Sequence, residues 1–200
     1  MSQLSVSSDQ SSVKSEEKKM SGEQNAIIEA IFQRRSIRKY TDRPVEREKL
    51  DLLLKAGMAA PSAMNCKPWE FILVTQPEAM ARFRSRLMFG DRNAPAAIAV
   101  CGNPALSTNP AAKLFWQQDC SAAVENIMIA AVGLGLGTVW IGLHPVRAFV
   151  STVRKILHIP RSVTPLCLIY VGYPLEPKPA RTQYDGSRVF WETYASHDPS

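Results

Sequence analysis

From Ala26 onward, apolar side chains recur at two different spacings, and each spacing predicts an element. Ala26, Ile27, Ala30 and Ile31 fall on one side of a helical turn and predict a short amphipathic helix. After the turn Asp42-Arg43-Pro44, Val45 to Gly57 predicts a second helix with Leu50, Leu53 and Leu54 on one face. Ala59-Ala60-Pro61-Ser62-Ala63 breaks it. Trp69 to Val74 is a short run of large apolar residues, the pattern of a strand. Pro77 to Met88 predicts a helix, with Pro77 suited to the first turn because an N–H there has no partner inside the helix. Pro95 to Cys101 is continuously apolar, which fits a strand covered on both faces. The longest helical pattern runs from Leu114 to Leu134 and is apolar nearly all round, so it is expected deep in the core. Gly133, Gly135 and Gly137 end it. Thr138 to Ile141 and Pro165 to Val171 predict two further strands, with a helix near Pro145–Leu157 between them.

Helices and strands interleave without a repeated βαβ unit, which predicts an α+β sandwich and not a doubly wound sheet. The ends of the chain differ from its middle. Residues 1–24 are rich in Ser, Gln, Glu and Lys; they cannot bury enough apolar surface to offset chain entropy and are expected to be disordered. The ordered domain is expected over residues 25–194, with 195–200 a flexible end. Lys178 to Tyr194 is polar and aromatic without a core of its own, so it is expected to wrap over something else.

Charge narrows the classes of partner. The net charge is +6. The first 24 residues hold three lysines against four acids, a charge of −1, which leaves +7 on the rest. Such a balance suits an anionic ligand. Outside one cluster the basic residues are scattered and no nucleic-acid motif appears, so no nucleic-acid partner is expected. Apolar stretches are too short and interrupted for a membrane span. Cys66, Cys101, Cys120 and Cys167 include no C-x-x-C pair and read as reduced thiols of a cytoplasmic protein. The N-terminus lacks the basic-then-apolar pattern of an export signal. His144, His158 and His197 stand apart from other ligating residues, so no metal is expected.

Three segments carry candidate chemistry. Arg34-Arg35-Ser36-Ile37-Arg38 puts three guanidinium groups and a hydroxyl within five residues, directly after a helix. A guanidinium is a planar fork of donors that stays charged, so such a cluster can grip a phosphate; taken alone, a solvated helix end is the commoner reading of such a run. Pro61 to Trp69 combines small residues and two prolines with Ser62 and Asn65, so backbone can approach a ligand and side chains can bond to it. Gly133 to Gly142 carries glycines that follow a helix and precede a strand. That order is the reverse of a dinucleotide-binding fingerprint.

In this order and spacing, these motifs resemble the FMN-dependent nitroreductase family, over Ala26 to Trp191. The helix segment Asp119-Cys120-Ser121-Ala122-Ala123-Val124-Glu125-Asn126-Ile127 and the ending Arg181-Thr182-Gln183-Tyr184-Asp185 extend the likeness. The resemblance implies a three-layer α-β-α sandwich with a mainly antiparallel central sheet. It also implies a homodimer that exchanges its C-terminal tails, with FMN at each of two interfacial sites. By motif, Arg34, Arg35 and Ser36 would hold the FMN phosphate and ribityl chain, and Arg38 would lie toward the N1–C2 carbonyl edge of the flavin. Pro61, Ser62, Ala63, Met64 and Asn65 would contact the flavin from the other subunit. Ile141 and Gly142 would present backbone N–H groups near N5. Arg181 would close on the phosphate, with Lys178 and Arg188 as helpers. Phe89, Phe115 and Trp116 are candidates for the substrate side.

Two positions depart from the family pattern. Gln183 stands where some relatives carry a basic residue, and Met64 where many carry Ser or Thr. The activity implied is reduction of nitroaromatics, quinones or similar electrophiles, with NADH or NADPH as donor and alternating ping-pong transfers. Flavin cleavage or dehalogenation on the same fold, or flavin binding without catalysis, are the alternatives, since fold does not fix function.

Overall fold

The computed structural model describes residues 26–194; the disorder expected for 1–24 and the flexible end expected at 195–200 lie outside the described residues. Five helices and four strands alternate along them: α1 (residues 26–33), α2 (Arg47–Met58), β1 (Trp69–Val74), α3 (Pro77–Arg86), β2 (Ala96–Gly102), α4 (Ala111–Gly133), β3 (Gly137–Gly142), α5 (Arg147–Leu157) and β4 (Thr164–Gly172). The strands form one sheet in the order β1-β2-β4-β3 with every neighbour antiparallel. No helix among the described residues is long and apolar enough to cross a membrane.

Alternation along the strands explains the three layers. Ala97, Ala99 and Cys101 of β2, with Leu168 and Tyr170 of β4 and Val139 and Ile141 of β3, face α3 and α5. Ala96, Ile98 and Val100, with Ile169 and Val171, face α2 and α4. Both faces are therefore apolar, which is why β2 reads as an unbroken hydrophobic run and is buried at every position.

Local capping moves some boundaries. α4 begins three residues before the expected Leu114, because the Asn109 side chain accepts from the Ala111 N–H (2.9 Å) behind Pro110. α3 stops at Arg86 and not Met88, because Leu87 turns to an extended conformation and is buried. The expectation that α4 is sunk on all sides needs correcting. Cys120, Ala123, Val124, Ile127 and Ala131 pack on the sheet and α2, while Leu114 (67 % exposed) and Phe115 (44 %) face outward. A single chain has only one surface to offer this helix.

The edge of the sheet at β3 is not left open. Residues 36–38 run along it: Ser36 bridges Thr138 in parallel, and the Ile37 N–H donates to the Thr138 carbonyl (2.9 Å). The chain leaving β4 then pairs with residues 39–41, through Leu175 N–H to Lys39 O (3.1 Å) and Thr41 N–H to Tyr173 O (2.9 Å). Tyr173 is itself fixed on α2: its hydroxyl donates to Glu46 (2.6 Å) and accepts from Lys49 (2.9 Å), and Arg43 lies over its ring.

Close approach of the arginine segment to β3 requires a glycine. A Cβ at Gly137 would stand 2.7 Å from Ile37 Cγ1, whereas one at Gly133 would meet nothing within 4 Å. Gly137→Ala is therefore expected to lower the free energy of unfolding in urea by about 1–3 kcal/mol through overpacking. Gly133→Ala should be neutral or gain up to about 1 kcal/mol from reduced chain entropy. Equal effects at the two positions would refute the packing argument.

Candidate functional site

The edge pairing with β3 arrays the arginine segment along the sheet, and its side chains diverge. Arg34 Nε lies 3.1 Å from Glu125 Oε1 of α4. Arg35 turns to the chain after β4, donating to the Pro179 carbonyl, and lines a cavity of about 380 Å³ with Gly135, Gly137, Lys178 and Ala180. Ile37 is buried against Gly137. Arg38 emerges at the far end beside a cavity of about 160 Å³ lined by Phe89, Arg92, Trp140, Ile141 and Gly142. Arg38 is exposed and has no hydrogen-bond or ion-pair partner among the described residues. Over Gly142 the surface is open, since a Cβ there would touch nothing within 4 Å.

The tail meets the same segment from outside. Lys178 Nζ donates to the Ser36 carbonyl (2.9 Å), and the Arg181 N–H donates to Phe32 O (3.1 Å). Arg188 does not join them; it pairs with Asp185 (3.0 Å) in a local turn. The structure thus brings Arg35 and Lys178 to one cavity at one end of the edge, with the Ser36 carbonyl and the Arg181 backbone beside them and Arg34 turned to α4, and Arg38, Ile141, Gly142 and Phe89 to another at the far end. Of the other two aromatic candidates, Phe115 is exposed on α4. Trp116 packs over Gly102 and meets His144 edge-on with centroids 5.0 Å apart. Neither lines the cavity beside Arg38.

The Pro61–Asn65 loop lies elsewhere in the chain, and none of its residues lines that cavity. It is strained: Met64 (φ 50°), Asn65 (φ 55°) and Lys67 (φ 50°) are all left-handed without being glycine. Such conformations cost about 1–3 kcal/mol each unless the surroundings fix them. Ser62 Oγ accepts from the Lys67 N–H (3.0 Å), which leaves its hydroxyl proton and one lone pair for a ligand. Asp119, 5 % exposed on α4, accepts from the Ala63 N–H through Oδ1 (2.9 Å), while its Oδ2 is buried without a partner among the described residues. Met64 is 75 % exposed at the tip.

Asp119 is a residue whose role sequence reasoning missed. The available signal was one acid in the middle of an otherwise apolar helical stretch. All four cysteines are free and buried, and burial pushes the thiols of Cys101 and Cys120 up to about 12. Cys101 and Cys120 are therefore uncharged packing groups and not nucleophiles.

Residues 31–89 and 86–173 match the model of the Nitroreductase family. A protein of Methanothermobacter thermautotrophicus, provisionally named NADH dehydrogenase/NAD(P)H nitroreductase, is 41% identical over 84% of this chain and 87% of its own. A crystal structure from Parabacteroides distasonis with the same provisional name superposes with a TM-score of 0.78 at 40% identity, covering 84% of this chain and 98% of that one. An FMN-dependent nitroreductase from Clostridium difficile superposes at 0.73 with 32% identity, covering 84% and 99%.

The bond from Asp119 to Ala63 can be tested without any ligand. Asp119→Ala is expected to lower unfolding free energy by about 1–3 kcal/mol, the usual cost of stranding a buried donor. It should also speed hydrogen exchange at the Ala63 amide. Asp119→Asn retains an oxygen acceptor and should recover most of both effects; exchange at Ala63 that is unchanged in Asp119→Ala would contradict the assignment.

Proposed function

Because this chain belongs to the nitroreductase family, we propose that it is an FMN-dependent oxidoreductase that draws electrons from NADH or NADPH and delivers them to nitroaromatics, quinones or similar electrophiles. The observation that carries the reading is the two-ended edge beside β3. One end concentrates cationic side chains and a hydroxyl; the other offers an open floor at Trp140–Gly142 with an unpaired guanidinium.

That donor set fits FMN. A phosphate needs several charge-assisted donors, and Arg34, Arg35, Ser36, Lys178 and Arg181 supply them within one short stretch of surface. Arg35 and Lys178 now donate to carbonyl oxygens, acceptors that a dianionic phosphate outcompetes. A flat ring system needs a surface without protruding Cβ atoms, which Gly142 provides. FMN, when bound, supplies the two-electron redox chemistry, and the protein supplies binding, orientation and electrostatics.

The residues then divide the work. Arg38 holds a fixed positive charge at the ring cavity, where negative charge develops on reduction, and preorganised charge in a partly enclosed site costs no reorganisation at that moment. Ile141 and Gly142 set the orientation of a ring through backbone rather than through a titratable group. The Pro61–Asn65 loop reaches a site of this kind only from a second copy of the chain, with Asp119 keeping its strained form. The exposed apolar residues Ile27 and Ile31 of α1, Leu114 and Phe115 of α4, and Trp191 of the tail are the surface such a copy would cover.

Purified protein should be yellow with one FMN per chain, and colourless protein that ignores added FMN in calorimetry would remove the reading. Initial-rate plots at several acceptor concentrations should be parallel, because donor and acceptor take turns over one face. Arg38→Ala reloaded with FMN should slow the reductive half-reaction more than it weakens FMN binding. An unchanged rate of reduction would reject that role for Arg38.

A homodimer should form with a buried area above about 2,000 Å², the size class of permanent dimers. Sedimentation at the mass of one chain with FMN bound would contradict the two-copy site.

A further inference from the structure

Basic residues that are scattered in the sequence are gathered in space. α3 and α5 cover one face of the sheet and share a hydrophobic cluster, through Met80 and Phe83 of α3 and Val153 and Ile156 of α5. With the turn after α5, they carry Arg82, Arg84, Arg86, Arg147, Arg154, Lys155 and Arg161 against a single acid, Glu78. That is a net charge of +6, equal to the net charge of the whole chain. The rest of the molecule therefore has as many acids as bases.

These charges are also uncompensated. All five ion pairs among the described residues lie outside this layer. Arg154 donates to the Pro160 carbonyl (2.7 Å), and the other cations of the layer have no side-chain hydrogen-bond or ion-pair partner among the described residues. Arg86, Arg147, Lys155 and Arg161 are exposed. Unpaired like charges on one side repel each other and weaken the compact state, and contact with a polyanion relieves all of them together. The layer stays open in the homodimer proposed above, because the apolar residues a second copy would cover belong to α1, α4 and the tail.

The side chains between the cations select the kind of polyanion. Ala81, Ser85, Ala148 and Ser151 are exposed and small, so a protein partner finds no aromatic or large aliphatic anchor among them. Neither helix nor the turn contains Trp or Tyr, Phe83 is buried and Phe149 half-buried, so the bases of a nucleic acid find no stacking platform. The layer offers diffuse positive charge with exposed apolar groups at its margin: Met88 (73 %) just past α3 and Val146 (47 %) just ahead of α5. Shallow attachment to an anionic bilayer draws on those two features and needs no spanning helix. We propose that the α3–α5 layer docks on a membrane surface rich in anionic lipid headgroups.

The test is co-sedimentation of the full chain with vesicles of phosphatidylglycerol and phosphatidylcholine in equal parts, and with vesicles of phosphatidylcholine alone. The protein should partition onto the first and not the second, and added salt should release it. Each cation near an anionic surface strengthens binding about fivefold, so Arg147→Gln/Arg161→Gln should lose on the order of 25-fold in partition coefficient. Arg47→Gln/Lys55→Gln on α2 makes the same change in net charge away from the layer and should lose much less. None of these four residues belongs to the flavin site proposed above, so FMN content should match wild type in both variants, and the FMN reading stands whatever the vesicles show. Equal losses in the two double variants, or equal partitioning with and without phosphatidylglycerol, overturn the proposal. Tighter binding at the same salt to a short DNA duplex or to polyglutamate than to the anionic vesicles overturns it as well.

Discussion

The placement of the arginine segment depends on the backbone pairing of residues 36–38 with β3. It is only a bridge, with one strong bond from the Ile37 N–H to the Thr138 carbonyl at 2.9 Å, yet it sets where each arginine points. In an extended segment successive side chains alternate sides. Burying Ile37 over Gly137 therefore sends Ser36 and Arg38 to the opposite side from Ile37. The chain after β4 completes the arrangement by pairing with residues 39–41, and Tyr173 anchors that return on α2. An edge strand that would otherwise invite association with another chain is thereby covered by the segment that carries the chemistry.

The sequence was legible where one local rule governed the outcome. β1 runs from Trp69 to Val74 as its apolar run indicated, and β2 is buried throughout as a two-sided strand requires. Boundaries slipped where a single side chain intervened, as with Asn109 ahead of α4 or the inward turn at Leu87. The meeting of Arg38 with Ile141 and Gly142 was not in any periodicity, because about a hundred residues separate them and only the sheet brings them together. It came from family resemblance. Asp119 was opaque for the same reason: its type was visible, but which amide it would face depends on the tertiary path of another segment.

The strained loop and the half-covered helix are two expressions of one situation. Three left-handed residues in a short loop raise the energy of the single chain, and Asp119 offsets part of that cost from α4. The same helix shows Leu114 and Phe115 outward near its start, on the side where the loop packs against Ala111 and Ala112. A fold that minimised the energy of one protomer would have relaxed the loop and placed polar residues at 114 and 115. Both features make sense together if the loop and this end of α4 face a second protomer, since its contacts would stabilise the loop form that the isolated chain holds only by Asp119.

The distribution of cations along the edge adds a distinction that net charge hides. Arg34 has Glu125, while Arg35 and Lys178 have backbone carbonyls, so at that end the protein satisfies its own donors and a phosphate would enter by exchange. At the other end Arg38 has no hydrogen-bond or ion-pair partner among the described residues. Exchange costs little, so the first end is suited to holding a permanent charge tightly and reversibly. An unpaired guanidinium such as that of Arg38 instead gains most at the moment negative charge arrives beside it. The division follows from what a redox site has to do: its phosphate carries the same charge throughout a cycle, whereas its ring gains charge once per turnover.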